Sequence, residues 1–269
     1  MRLESVRAFV LDVDGTLVHR AGEEVYVQPG APEVLAKIRA SGRPLVLFTN
    51  GSHASPETFA AGLRAAGLFV ADEELLTPLC SVQSYLRAHY RDGSVLLLGT
   101  DAAREYLVRA GVRILDGEDA TCADAVFVAA PDGVDFAELE HAARSVLSGA
   151  RLLTGSYAPA YAGANGPIFS RGAMVTAAIA KAAGARPVVV GKPSRAVLQT
   201  ISDRLGAPSE ELAVIGDDLG MDIALGHLGG SRTILVRSGI SGLVELDDVA
   251  ERHRPDAVIE GVAELLDWL

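Results

Sequence analysis

Seven short, largely apolar runs punctuate the chain at 6–11, 45–48, 95–98, 125–129, 188–190, 213–215 and 233–236. None alternates apolar with polar residues, as a strand with one wet face would. Runs of this kind suit strands covered on both faces, and segments with helix signals separate them. Ser55-Pro56 reads as an N-cap followed by a first-turn proline, and Gly67 as the stop. Asp135 with Glu138 forms a capping-box pattern opening a helix that ends near Gly149, and 32–42 repeats the proline-start, glycine-stop pattern. Strands alternating with helices predict an α/β protein built on a parallel sheet. Residues 152–170 carry no charge and are rich in Gly, Pro, Ser, Tyr and Asn, which reads as a loop-rich segment.

Composition narrows the function. With 49% apolar and 22% charged residues the chain can fill a core, and disorder is excluded. A net charge of −11 argues against nucleic-acid polymers and anionic membrane surfaces, which need clustered Lys and Arg. Cys80 and Cys122 lack metal-ligand spacing and cannot form a disulfide framework. Glu4 and Asp12 interrupt any secretory signal, and no run reaches the roughly 18 apolar residues of a membrane helix, so a cytoplasmic protein without membrane partners is expected.

Four polar segments fall just after four of the predicted strands, where open parallel sheets bind ligands. The first is Asp12-Val13-Asp14-Gly15-Thr16. A bare Asp-Gly is an ordinary turn, but the five-residue pattern places two carboxylates at one strand end. The second, Thr49-Asn50-Gly51-Ser52, offers a hydroxyl and backbone N–H groups suited to an oxyanion. The third is Gly191-Lys192-Pro193. This chain has 21 arginines and only three lysines, so a lysine at a strand end suits a compact contact to phosphate or carboxylate. The fourth runs from Gly216 through Asp217, Asp218 and Asp222. Its acids suit either a helix N-terminus or a hard-cation site.

Taken in this order, the four segments resemble the motifs of the haloacid dehalogenase-like (HAD) phosphatase superfamily across essentially the whole chain. The 142 residues between Thr49 and Lys192 leave room for an inserted domain. With Gly191-Lys192-Pro193 and Gly216-Asp217 through Asp222-Ile223, the chain looks like class IIA, the NagD-like and p-nitrophenyl-phosphatase-like enzymes. Three positions depart from that pattern: Gly51 and Met221, where Asn and Thr are common, and Thr154-Gly155-Ser156-Tyr157 in place of a Thr-Asn-x-Asp stretch.

The resemblance implies a Rossmann-like catalytic core from 1–78 and 186–269, with a smaller α/β cap at 79–185 that can pair two copies. It implies Mg²⁺ held by Asp12, the carbonyl of Asp14 and Asp217, with Asp218 or Asp222 holding a coordinating water. Asp12 would be the nucleophile that forms an aspartyl-phosphate, and Asp14 the general acid and base. Thr49, the N–H groups near Asn50 and Gly51, and Lys192 would bind the transferring oxygens of a small phosphorylated metabolite. Tyr157, Tyr161, Asn165 and Arg171 are candidate substrate contacts in the cap. The second acid of the first motif favours a phosphatase over a dehalogenase. A phosphotransferase on the same fold and a catalytically silent phosphometabolite-binding protein are the alternatives. A nucleotide-binding dehydrogenase is disfavoured, since no Gly-x-Gly-x-x-Gly follows the first strand.

Overall fold

The computed structural model describes residues 3–22, 24–163 and 166–269. Along the chain lie β1 (Ala8–Asp12), the antiparallel hairpin β2 (Val18–Ala21) and β3 (Glu24–Val27), α1 (Ala31–Ala40), β4 (Leu45–Phe48), α2 (Pro56–Ala65), β5 (Leu75–Leu76) and α3 (Pro78–His89). There follow β6 (Ser94–Gly99), α4 (Asp101–Arg109), β7 (Arg113–Ile114), β8 (Ala125–Ala129), α5 (Phe136–Leu147), β9 (Arg151–Thr154), the hairpin β10 (Ala160–Gly163) and β11 (Gly166–Phe169), and α6 (Arg171–Ala183). The chain finishes with β12 (Val188–Val189), α7 (Arg195–Leu205), β13 (Leu212–Gly216), α8 (Ala224–Gly229), β14 (Arg232–Val236) and β15 (Ala257–Ile259).

Two parallel sheets organise these elements. The larger has six strands in the order β15-β14-β13-β1-β4-β5, so β1 lies between β13 and β4. Phe9, Leu11, Leu47 and Ile215 pack on one face against Val34, Leu35 and Ile38 of α1. Val10, Val46, Phe48 and Val214 pack on the other against Val197, Leu198 and Ile201 of α7. Covering both faces makes an all-apolar strand favourable, since each fully buried Leu, Ile or Phe contributes about 1.5–3 kcal/mol. The smaller sheet has five strands in the order β12-β9-β8-β6-β7. Helices α3 and α4 cover one face, and α5 and α6 the other. All its strands fall between β5 and β13, so the smaller sheet is inserted into the sequence of the larger.

The expected helix ends form as the sequence dictates. The Ser55 hydroxyl accepts from the Thr58 N–H at 3.2 Å. Asp135 and Glu138 cap each other's backbone, both at 2.8 Å. One sequence expectation needs correction. The boundary at 185/186 puts the run at 188–190 in the larger unit, whereas β12 pairs with Leu153 and Thr154 at the edge of the smaller sheet. The loop-rich segment 152–170 contains the end of β9 and the β10–β11 hairpin. Its Gly and Pro content hides short strands whose pairing is antiparallel and local.

Candidate active site

The larger sheet brings three sequence segments to one edge. Asp12 is the last residue of β1, Thr49 follows β4 and Asp217 follows β13, three neighbouring strands. The fourth segment arrives differently. Lys192 leaves β12 of the smaller sheet, yet its ammonium is buried in the larger sheet's crevice. Nζ donates to Asp12 Oδ1 at 2.5 Å, to Asp222 Oδ1 at 2.7 Å and to the Phe48 carbonyl at 2.9 Å. All three donor positions of the ammonium are thereby used.

Local structure decides which of the two remaining acids faces inward. Asp218 Oδ1 accepts from the N–H groups of Gly220 (2.7 Å) and Met221 (3.2 Å) and so caps the wide helical turn Leu219–Ile223. That turn brings Asp222 back over Gly216, where its Oδ2 accepts from the Asp218 N–H at 3.1 Å. The two acids are thus separated by geometry: Asp218 caps this turn, and Asp222 faces the crevice.

Asp12, Asp217 and Asp222 converge, with carboxylate oxygens within 4.8 Å of one another. Burial pushes the Asp12 pKa well above the usual carboxylate value, and Asp222 and Asp217 add to this while Lys192 opposes it. Burial and then the charge of Asp222 push Asp217 up to about 7, against the pull of the Ile240 N–H. Burial disfavours the Lys192 ammonium, but Asp12 and Asp222 outweigh it, leaving its pKa above the ordinary lysine value. Both oxygens of Asp222 are engaged, and Asp217 Oδ2 accepts from the Ile240 N–H at 2.7 Å. Asp12 Oδ2 is buried with no hydrogen-bond partner among the described residues. An orphaned carboxylate oxygen beside a second buried carboxylate, in an all-oxygen donor set, fits a hard divalent cation.

Other predicted residues hold different positions. The half-exposed Asp14 carboxylate stands outside that cluster, paired with Arg20 Nε at 2.5 Å and accepting from Thr49 Oγ1 at 3.3 Å. Thr49 Oγ1 accepts in turn from the Gly51 N–H at 3.2 Å. The Asn50 side-chain amide is engaged by the backbone of Lys192, which leaves the expected role of the N–H groups near Asn50 and Gly51 untouched. Among the smaller unit's candidates, Arg171 pairs with Asp132 at 3.5 Å and Tyr157 is exposed. Among the described residues no hydrogen bond or ion pair ties either of them to the crevice. Tyr161 lies on β10, and Asn165 lies outside the described residues.

The sequence reading missed 238–242, the loop after β14. Ile240 and Ser241 hold Asp217 through their N–H groups, and Ser238 Oγ donates to the Gly15 carbonyl at 2.6 Å. The run Gly239-Ile240-Ser241-Gly242 directly after a strand was the available signal.

A parallel α/β fold that gathers three buried carboxylates and a lysine in one crevice suits the class of proteins that handle phosphoryl groups, whose charge must be neutralised. Residues 9–113 match the haloacid dehalogenase-like hydrolase family, and 189–265 match a second HAD-hydrolase-like family segment. The chain is 31% identical to the ribonucleotide monophosphatase NagD of Escherichia coli (strain K12), covering 97% of this chain and 98% of that protein. Identity to the dihydroxyacetone phosphatase of Corynebacterium glutamicum (strain R) is 28%, over 97% of this chain and 90% of that one. The solved structure of 4-nitrophenylphosphatase from Thermotoga maritima superposes with a TM-score of 0.88 at 26% identity, covering 98% of each chain. The chain belongs to the haloacid dehalogenase-like hydrolases, in their class IIA NagD-like branch, and is a phosphoric monoester hydrolase. No helix among the described residues is long and apolar enough to cross a membrane.

Proposed function

We propose that the enzyme hydrolyses small-molecule phosphomonoesters with Mg²⁺ through an aspartyl-phosphate on Asp12. The observation that carries this reading is the state of the Asp12 carboxylate. One oxygen is fixed by Lys192, and the other is buried, unpartnered and at the end of β1. Asp12 and Asp217 would hold the Mg²⁺ ion, which supplies positive charge against the carboxylates and the phosphate.

An oxygen of the Asp12 carboxylate forms a bond to phosphorus as the ester P–O bond breaks. Asp14 gives its proton to the leaving oxygen, which departs as an alcohol. Asp14 then takes a proton from water, whose oxygen attacks phosphorus, releases inorganic phosphate and restores the Asp12 carboxylate. Thr49 and the positive charge of Lys192, whose three donors are held within the protein, steady the transferring oxygens. For the first step Asp14 must leave Arg20, and the exposure of that ion pair keeps the cost low. The smaller unit would cover the crevice, exclude bulk water and select the leaving group. Its exposed Phe136, Phe169 and Met174 support pairing of two copies through this unit.

Hydrolysis of p-nitrophenyl phosphate should require a divalent cation, stop in EDTA and vanish in Asp12→Asn. Rapid acid quench should trap an acid-stable, hydroxylamine-sensitive phosphoprotein. Turnover in EDTA, or steady turnover without a trappable phosphoprotein, overturns the reading.

A further inference from the structure

Lys192 faces a mechanical problem. Its ammonium works in the larger sheet, but its main chain continues the edge strand of the smaller one. Just before it, the Val190 N–H donates to the Thr154 carbonyl at 2.9 Å, and the Val190 carbonyl accepts from Ser81 Oγ at 2.5 Å. These bonds bind the approach to Lys192 into the inserted unit. Any shift of that unit would drag the ammonium unless the main chain of residue 192 were tied to the larger sheet.

Asn50, two residues beyond β4, supplies that tie. Its Oδ1 accepts from the Lys192 N–H at 2.8 Å, and its Nδ2 donates to the Lys192 carbonyl at 3.1 Å. One side-chain amide thus satisfies both main-chain polar groups of one residue. The amide's orientation is fixed by chemistry, since the backbone N–H can only donate and the carbonyl can only accept. Nδ2 also lies 3.2 Å from Met221 Sδ, which brings the second, third and fourth segments together at one amide. The packing around it is peptide against peptide. A Cβ at Gly191 would fall 1.9 Å from the Gly155 carbonyl oxygen and 2.6 Å from Asn50 Oδ1, so only glycine fits there.

We infer that the Asn50 side chain is a positioning group: it locks the Lys192 backbone to the end of β4 and acts on the reaction only through the Lys192 ammonium. This rests on the reading above that Lys192 steadies the transferring oxygens. A misplacement of about 1 Å in such a group can lower a rate about 100-fold.

The test is a double-mutant cycle of wild type, Asn50→Ala, Lys192→Ala and the double variant. It is read as kcat and KM on p-nitrophenyl phosphate with Mg²⁺. Asn50→Ala should lower kcat about 10- to 100-fold with a smaller change in KM. In the Lys192→Ala background the same substitution should change kcat less than about threefold. An equal loss in both backgrounds overturns the inference, because a general packing defect does not depend on Lys192. Unchanged kcat in Lys192→Ala alone overturns the reading of Lys192 instead. Calorimetric binding of inorganic phosphate closes the same cycle if Lys192→Ala turns over too slowly to measure. Asn50→Ser, which keeps a polar group at the site, replaces Asn50→Ala if that variant does not fold.

Discussion

Replacing Asp217 with asparagine isolates the cost of crowding carboxylates in the crevice. Asp217 is 5% exposed, and its pKa rises from an ordinary 3.8 to about 7 through burial and the neighbouring Asp222. The folded chain therefore holds this proton more tightly than the unfolded chain. Folding takes up a proton between about pH 4 and pH 7, and stability falls as pH rises through that window. Above pH 7 the full penalty remains. Its ceiling is the shift of about three pH units, or about 4 kcal/mol. Sharing of the proton load with Asp12 lowers the expected effect to about 2 kcal/mol. Asparagine keeps an oxygen for the Ile240 N–H and carries no charge. In EDTA at pH 8, Asp217→Asn should thus melt about 4–8 °C above wild type. At pH 5, where the folded wild-type side chain is protonated but the unfolded one is ionised, the gain should fall to about a third. Calorimetric or circular-dichroism melting at both pH values measures the difference. A variant less stable than wild type at pH 8, or an equal gain at both pH values, refutes the reasoning.

Two further substitutions probe the scaffold. A Cβ at Gly239 would stand 1.8 Å from Asp217 Oδ2, so Gly239→Ala must displace that carboxylate; metal affinity, read by titrating Mg²⁺ against turnover, should weaken about 10- to 100-fold. Asp135→Ala removes one half of the capping box of α5, far from the crevice in sequence, and should lower the melting temperature by about 2–4 °C with kcat unchanged.

The sequence made the acids and the lysine legible because each directly follows a strand whose apolar run is continuous. Asp12, Thr49 and Asp217 stand at the ends of three such runs, and pattern places strand ends well. Asp14 was legible as a neighbour of Asp12, but its partnership with Arg20 was not, since that contact depends on the β2–β3 hairpin. The sheet to which β12 belongs was hidden for a different reason. A run of two or three valines specifies a strand but not its partner, and pairing with β9 is a long-range choice settled by packing. The same limit applied to Asn50. Its residue type suggested a polar contact at a strand end, while its true partner lies 142 residues away in sequence. The loop at 238–242 lacked any charged residue to draw attention, although its backbone N–H groups hold Asp217.

These placements bear on how an acidic protein accepts an anionic group. Asp12, Asp217 and Asp222 face a single ammonium in the crevice. When ionised, that set is negative before any substrate arrives. At an effective dielectric near 20, two unit charges about 5 Å apart repel by roughly 3 kcal/mol, and a phosphate dianion would feel several such pairs. Lys192 cannot offset this alone, because its three donors are already used within the protein. One open acceptor is the Asp12 oxygen left unpartnered among the described residues, which a cation can occupy without breaking a hydrogen bond. On the proposed reading, cation dependence is thus a property of this residue set and not of one substrate. It should persist across phosphomonoesters whose leaving groups differ in size and charge, even where KM varies widely.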